Sequence, residues 1–276
     1  MRVHVAALAA LTLVATACSR GGVDDRAFAW TEELPAGATV HLRNGTGEIS
    51  VRPASGQNFV VNGSRAWRHG RANDVKFVVT HTGNDYFVCA MWRNSGTCGA
   101  KGYRGKNTGG LLAMFSLFHR TTDATAGLDA TVPANVTVDA KTGNGSVSVD
   151  GVAAGVTAHT ANGDVVATHV SGPLSLVSTN GNVRLSADTI NGSDSINLST
   201  KNGIIRAQLP PNTEGKFDLS VVNGTVQSDI PLTQMAKARF GRRLEGQVGS
   251  SNRIVRMHTL NGAVFVTTHG TSVEHE

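Results

Sequence analysis

The sequence contains few aromatic and few charged residues. Aromatic side chains make up 5% of the 276 residues, and Asp, Glu, Lys and Arg together make up 16%. The basic excess, 25 residues against 20, is too small to indicate a nucleic-acid-binding protein. Because Val, Leu, Ile and Ala recur along the chain, the composition is that of a folded protein and not of a disordered one.

The motifs that mark many enzymes and metal sites are also missing. The chain has no Gly-X-Ser-X-Gly elbow, no Gly-Lys-Ser/Thr phosphate loop and no Gly-X-Gly-X-X-Gly fingerprint. Its histidines lack the i, i+4 and His-X-His spacings, although His159 and His169 could approach each other on neighbouring units. We therefore predict no catalytic residue, no metal site and no cofactor.

Long apolar runs and cysteines are scarce, and where they occur they indicate export. Residues 1–17 carry Arg2, an apolar run from Val3 to Val14 and small residues at the end, which is the pattern of a secretory signal. Ala15-Thr16-Ala17-Cys18 resembles a bacterial lipobox, which implies a lipid on Cys18; ordinary cleavage near Ala17 is the alternative. No later segment has the roughly 18 apolar residues that span a bilayer.

These features predict an extracytoplasmic protein of the bacterial cell envelope. Residues 18–27 would be a tether to the lipid, on the outer membrane or the periplasmic face if the cell is Gram-negative, and residues 271–276 a tail. With Cys18 lipidated, Cys89 and Cys98 remain as a pair, and in an oxidising compartment we expect a disulfide between them. Two free thiols or half of a metal site is the alternative, disfavoured because no histidine lies between or immediately beside them.

Glycine, by contrast, is abundant at 32 residues and forms part of a repeat. A corner glycine, usually preceded by asparagine, recurs every 18 to 22 residues at Gly145, Gly163, Gly181, Gly203 and Gly224, with further copies at Gly47 and Gly262. The residues five and seven places before each glycine are apolar, and so are those two and four places after it, except Ser228. We interpret the Asn-Gly pairs as tight turns, since glycine accepts a positive φ and asparagine tolerates one.

Alternation on both sides of a corner predicts two short strands per unit, each burying every second side chain. A unit with four inward residues cannot bury them alone, so units must stack. We therefore predict an all-β, β-solenoid-like stack of two-stranded repeats of 18–22 residues over 132–270. An antiparallel sandwich or propeller, with each Asn-Gly as a hairpin turn, is the alternative. Thr233 could cap a helix from Gln234 to about Arg243, followed by a loop from Leu244 to Ser251.

The preceding region, 28–131, reads as an N-terminal β part with a basic insertion at 93–120. Strands are expected at 58–61, 75–82 and 86–92. The insertion ends in an apolar stretch, Leu111 to Phe118, and could bind an acidic glycan, a lipid head group or an envelope protein, or could instead cap an open end of the sheet. Its candidate binding residues combine aromatic and basic side chains: Trp92, Arg93, Lys101, Tyr103, Arg104 and Lys106.

The layout resembles the adhesin-like family of unknown function that is built from β-strand repeats and called toastrack modules. The residues that carry the resemblance are the segment from Val40 to Val51, the strand Ala130-Thr131-Val132-Pro133 and the successive Asn-Gly-X-Val corners, over about residues 36–268. The resemblance implies a β-solenoid-like fold and a role in adhesion or envelope sensing, with no catalytic residues to transfer.

These arguments predict a non-enzymatic envelope lipoprotein that presents a repetitive β surface for adhesion, scaffolding or sensing, with the membrane as partner through its lipid and no nucleic acid. A β-helical polysaccharide-processing enzyme is the alternative and would need a row of carboxylates on neighbouring coils. The residues directly after the corners, however, include one carboxylate among Ser146, Asp164, Asn182, Ile204, Thr225 and Ala263. Convergence of Asp139, Asp150, Asp164 and Asp188 is the remaining route to such a site, although turn aspartates are usually solvated.

Overall fold

The computed structural model describes residues 21–92, 96–100, 103, 123–191, 193–234 and 241–268, and within these ranges the chain is all-β apart from a short 3-10 turn at Ala72–Asp74. The strands belong to one hydrogen-bonded sheet system. They are β1 (Gly22–Glu33), β2 (Thr39–Thr46), β3 (Ile49–Pro53), β4 (Asn58–Trp67), β5 (Val75–Thr82), β6 (Asp85–Trp92), β7 (Thr125–Val132), β8 (Thr137–Asn144), β9 (Val147–Asp150), β10 (Val156–Asn162), β11 (Val165–Thr168), β12 (Leu174–Asn180), β13 (Val183–Ser186), β14 (Ile196–Leu209), β15 (Gly215–Ser228), β16 (Thr233–Gln234), β17 (Arg242–Val248) and β18 (Ile254–Thr268).

The strands of the repeat stack in parallel, coil upon coil. Strands β8, β10 and β12 pair in register, with Val138 opposite Val156 and Val156 opposite Leu174. The strands that follow the corners, β9, β11 and β13, stack in the same way. This parallel pairing confirms the β-solenoid and makes the antiparallel sandwich or propeller wrong.

The four predicted apolar columns form the interior of the solenoid. The residues five and seven places before each corner glycine are all buried, among them Leu42, Leu176 and Met257, each with 0% exposure. In the columns after the corner, Val226 is partly buried and packs against the core. One hydrophobic cluster extends from Leu34 to Val266, so the regions that we separated at residue 131 share a core.

At the C-terminal end the coils do not stack in chain order. Strand β18, the last in the chain, lies between β14 and β15 and pairs in parallel with both. The buried Arg253, just before β18, fixes this arrangement by donating hydrogen bonds to the carbonyl oxygens of Asp194, Glu214 and Ile190 in the neighbouring loops.

Strand β17 closes this end by pairing antiparallel with the first half of β15. The predicted loop from Leu244 is therefore wrong, and so are both ends of the helix predicted from Gln234 to Arg243, because Thr233–Gln234 and Arg242–Val248 are strands. The middle of that predicted helix, residues 235–240, lies outside the described residues. Alternation of Leu244, Gly246 and Val248 with polar residues carries that strand pattern. Apolar residues in such a short segment are compatible with either structure, and the unpaired edge of β15 decides for the strand.

At the N-terminal end, β6 pairs in parallel with β2 and β7 pairs in parallel with β3. These two strands thus form one more coil, and residues 93–124 connect them in the chain. Strands β5, β4 and β1 add antiparallel edges, and the strands predicted at 58–61, 75–82 and 86–92 are confirmed. Strand β1 begins at Gly22, so residues 22–27 are strand and not tether.

Candidate functional site

The edge of the solenoid at the corners carries a continuous ladder of exposed asparagines. Five of its six side-chain amides donate through Nδ2 to Oδ1 of the asparagine in the adjacent coil, at 2.7–2.8 Å. In spatial order the ladder runs Asn144, Asn162, Asn180, Asn202, Asn261 and Asn223. Asn261 of β18 thus lies between Asn202 of β14 and Asn223 of β15, as the strands themselves do.

The structure assigns the two residues of each corner different roles. The glycines have positive φ, as predicted, and a Cβ on Gly181 would lie 2.0 Å from the carbonyl oxygen of Gly163 in the adjacent coil. The asparagines do not have positive φ, because among the described non-glycine residues only His169 does. Asparagine therefore occupies the corner for its ladder hydrogen bonds and not, as the sequence suggested, for its tolerance of a turn.

Beneath the ladder lies a column of buried hydroxyls, two residues before five of the six asparagines. Thr160 Oγ1 donates to the carbonyl oxygen of Gly145 at 2.7 Å, and Ser178 Oγ donates to that of Gly163 at 2.8 Å. Thr142, Thr200 and Thr259 make the equivalent bonds. These bonds satisfy corner carbonyls that are otherwise buried, so the column is structural.

The residues directly after the corners also connect adjacent coils. The backbone N–H of Asn182 donates to Oδ1 of Asp164 at 2.8 Å, and that of Ile204 donates to Oδ1 of Asn182 at 3.0 Å. Arg184 also forms an ion pair with Asp164 at 3.2 Å. The one carboxylate of this row thus connects the backbones of adjacent coils and pairs with Arg184.

A charged cluster lies on the outward face of β2 and β8. The His41 imidazole contacts Asp139 through Nδ1 at 3.0 Å and Asp85 through Nε2 at 3.1 Å, and it stacks on the Phe87 ring with centroids 4.4 Å apart. Arg43 donates to the carboxylate and to the carbonyl oxygen of Asp139. The cluster, His41, Arg43, Asp85, Asp139 and Lys141, joins three adjacent coils.

The balance of forces on Asp139 keeps its carboxylate ionised. Burial, the largest effect, would raise the pKa, but hydrogen bonds from His41 and Arg43 and the nearby positive charges outweigh it, so the pKa of Asp139 lies well below its usual range. The Lys141 ammonium lies 3.3 Å from Asp139 Oδ1, the carboxylate oxygen that accepts no hydrogen bond. A carboxyl in this state accepts hydrogen bonds and cannot serve as a proton donor near neutral pH.

Next to this cluster, the structure shows how both ends of the insertion are attached to the sheet. The Cys89–Cys98 disulfide forms as predicted and fixes residues 96–98 on β6. Tyr103 Oη donates to the Ala90 carbonyl oxygen at 2.7 Å, and burial raises the pKa of the Tyr103 phenol. Asp123, at the other end, accepts hydrogen bonds from the backbone N–H groups of Arg68 and His69, which lower its pKa to about 2.

These attachments change the interpretation of the predicted binding residues. Trp92 is 4% exposed and its indole N–H donates to the Ala124 carbonyl oxygen, so its ring packs in the core and offers no stacking face. Tyr103 likewise packs against the cluster of Phe87, Cys89 and Met91. The four basic candidates and the lipidation residue lie outside the described residues: Arg93, Lys101, Arg104, Lys106 and Cys18.

The remaining aspartates and histidines do not assemble into one site. Asp150 accepts a hydrogen bond from Thr168 at 2.7 Å and contacts His169 at 2.8 Å at the ends of the second strands, where Asp188 also acts on His169. His159 instead lies opposite Lys141 of the charged cluster. Within the part of the chain that the structure describes, no group of three or more His, Cys, Asp or Glu side chains could hold a metal ion. No helix in the same ranges has the length and apolar character needed to cross a membrane.

Comparison with known protein families identifies the repeat. The family model Toastrack DUF4097 matches residues 120–267, which is just over half of the chain. The chain belongs to this family. The Toastrack match begins within the insertion and covers every coil from β7 onward, including the intercalated β18.

Solved structures with a distant likeness to this Toastrack chain carry adhesion-related descriptions. A proposed cell adhesion protein from Clostridium sporogenes is 11% identical over 87% of this chain and 99% of its own, with a TM-score of 0.48. A proposed adhesin from Bacteroides fragilis is 9% identical over 87% of this chain and 96% of its own, with a TM-score of 0.36. Comparison with curated protein sequences gives no significant match.

Sequence reasoning found the corner glycines and the buried columns of the Toastrack repeat but not its side-chain ladders. The signal was present, because asparagine stands before the glycine in six corners and a hydroxyl residue stands two places before that in five of them. The charged cluster had no such signal. Its members come from β2, β6 and β8, and parallel stacking alone brings these strands together.

Proposed function

We propose that this Toastrack chain is a non-enzymatic lipoprotein of the bacterial cell envelope, held by a lipid on Cys18, that presents the solenoid surface as a rigid scaffold for binding. Its chemistry is that of recognition by many fixed polar groups and not of bond making or breaking. Strand β1 begins at Gly22, four positions after Cys18, so the chain between them would place β1 within about 14 Å of the lipidated residue.

One observation carries the proposal: the polar side chains that face outward are fixed by bonds between coils. The asparagine ladder and the row that contains Asp164 each connect one coil to the next. Side chains held on both sides lose little further conformational entropy when a ligand binds, which favours a presenting surface. A catalytic group, by contrast, needs a free proton or lone pair near the reacting atoms.

The alternative, a polysaccharide-processing enzyme, is best tested at Asp85 and Asp139. Both carboxylates contact His41, which puts them within the roughly 10 Å that glycosidase pairs require. Such a pair also needs one carboxyl with a raised pKa as general acid, and the pKa of Asp139 is lowered. The cluster moreover lies on a strand face, and its charged side chains pair with one another, so we propose that it stabilises the fold.

Lipidation is tested by growing cells with radioactive palmitate. We expect label in the wild-type chain and none in Cys18→Ala, while a Cys89→Ser/Cys98→Ser variant, matched in losing cysteine elsewhere, should be labelled like the wild type. Equal, background labelling of wild type and Cys18→Ala would refute the anchor.

Absence of catalysis is tested separately by incubating the full-length protein with envelope and plant-type polysaccharides and measuring new reducing ends. None should form. Release of reducing ends that disappears in Asp139→Asn would make the enzyme interpretation correct.

A further inference from the structure

The outward face of the second-strand stack contains a row that differs from the rest of the surface. Direct register pairing places Arg184 beside Arg206, Arg206 beside Phe265, and Phe265 beside Gln227. Neighbouring strands are about 4.8 Å apart, so this row is a compact patch across β13, β14, β18 and β15. Elsewhere the same row holds a small hydroxyl residue or valine, at Ser148 and Val166.

The charge in this row is not balanced. The other arginines on the coil strands that bear outward side chains each have an aspartate within ion-pair distance, namely Arg43, Arg52, Arg184 and Arg256. Arg206 is exposed and forms no ion pair within the described residues. Arg184 is already paired with Asp164, so the row carries one guanidinium, that of Arg206, without a carboxylate partner among the described residues.

Arg206 is nevertheless held in place. Its guanidinium carbon lies 5.3 Å from the centre of the Phe265 ring, which is the distance of a cation-π contact. Gln208, two residues further along β14, and Gln227, beside Phe265, add amide donors and acceptors at the border of the patch. An aromatic ring with paired guanidiniums and amides is a set that recognises a sugar carrying a carboxylate.

We propose that Arg184, Arg206 and Phe265 form a binding site for an acidic polysaccharide built from carboxylate-bearing sugars. The Arg206 guanidinium binds the carboxylate, Arg184 adds donors beside it, and the Phe265 ring packs against the apolar face of the sugar. The inference deepens the proposed function, on which it rests for the idea of a presenting surface, and it names the class of ligand. Charge complementarity selects this occupant over a neutral glycan.

The test uses the full-length chain in detergent micelles and polygalacturonate oligosaccharides as the probe, with binding measured by calorimetry. A neutral glucan of equal length and a sulfated glycan are the comparison ligands. Arg206→Gln should weaken polygalacturonate binding at least five-fold. Arg256→Gln removes the same charge from an exposed arginine on the other face and should change binding less than two-fold.

A second pair of variants separates specific recognition from general charge. Phe265→Leu keeps an apolar residue but removes the ring and should also weaken binding, whereas Arg206→Lys, which keeps the charge without the planar fork, should fall between wild type and Arg206→Gln. Thermal unfolding of each variant checks that the fold is kept.

The inference is overturned if the wild type binds none of the acidic probe, if the sulfated glycan binds more tightly and independently of Arg206, or if Arg206→Gln and Arg256→Gln weaken binding equally. These outcomes leave the lipid anchor untouched. Cleavage of the bound oligosaccharide would instead refute the non-enzymatic part of the proposed function while leaving the binding site intact.

Discussion

The buried hydroxyl column makes a prediction whose sign can be tested in both directions. Thr160 is fully buried and donates to the carbonyl oxygen of Gly145. Thr160→Val keeps the shape of the side chain but leaves that carbonyl without its partner, which should lower the free energy of unfolding by about 1 to 2 kcal/mol. For a domain of this size such a loss lowers the melting temperature by roughly 2 to 8 °C.

The chain supplies the converse experiment in the coil of β15. There Val221 occupies the place that Thr259 has in the adjacent coil, so the corresponding carbonyl, that of Gly262, faces a methyl group instead of a hydroxyl. Val221→Thr should add the missing bond and raise the free energy of unfolding by about 0.5 to 1 kcal/mol. The hydroxyl is buried at position 160 in the wild type and at position 221 in Val221→Thr. The two substitutions therefore remove and add the same kind of buried hydrogen bond.

Urea denaturation followed by tryptophan fluorescence gives both values. The comparison requires equal m-values, since stacked repeats can unfold in parts and a changed slope would signal a different unfolding unit. If Thr160→Val is neutral or stabilising, or if Val221→Thr destabilises as much as Thr160→Val does, the column does not contribute as argued.

Three further predictions concern the corner, the disulfide and the charged cluster. Gly181→Ala should lower the free energy of unfolding by about 3 kcal/mol or more, because its Cβ would meet a carbonyl oxygen, whereas Gly56→Ala, where no atom lies within 4 Å, should be neutral; equal urea midpoints would contradict this. Reducing the Cys89–Cys98 disulfide should lower the free energy of unfolding by roughly 2 to 3 kcal/mol, measured as a lower thermal midpoint in dithiothreitol. A Cys89→Ser/Cys98→Ser variant should have the same lowered midpoint, and dithiothreitol should not change it further. The pKa of Asp139 is lower in the folded state, so its contribution to stability is present above the unfolded pKa of about 3.9 and is lost as the pH falls below that value. Asp139→Asn should therefore be less stable than the wild type by about 1 to 3 kcal/mol at pH 7, and its stability should depend less on acid pH. Parallel plots of stability against pH for the two proteins would argue against the pairing.

Much of the fold was predictable because the same pattern of apolar residues around a corner glycine recurs in each repeat. Leu42, Leu176 and Met257 are far apart in the chain, yet each stands five residues before a corner glycine, and each is buried. Period two identifies a strand face whichever strand becomes its neighbour. The disulfide was equally predictable, since an exported chain with two remaining cysteines has one way to form an intramolecular bridge.

The roles of the binding residues predicted around the insertion were harder to predict from the sequence. Trp92 and Tyr103 stand among basic residues in the sequence, but Trp92 is the last residue of a buried strand, and Tyr103 folds back onto that strand through its hydroxyl. Proximity in the chain does not reveal which of two aromatic faces the core will occupy. For the same reason the Arg206–Phe265 contact is invisible in the sequence, because 59 positions separate residues that parallel pairing makes neighbours.

The predicted signal through Cys18 remains a sequence inference, whereas the β character, the glycine corners and the inward columns were determined by the sequence and are confirmed, because each depends on local backbone geometry and on side-chain alternation. The order of the coils, the asparagine ladder and the clusters on the outer faces were decided by the tertiary structure. Strand β18 could have paired beyond β15 with the same apolar pattern, and the loop carbonyls that bind Arg253 exist as a set only after folding. Periodicity determines which side of a strand is buried, and long-range packing determines which strand lies beside it.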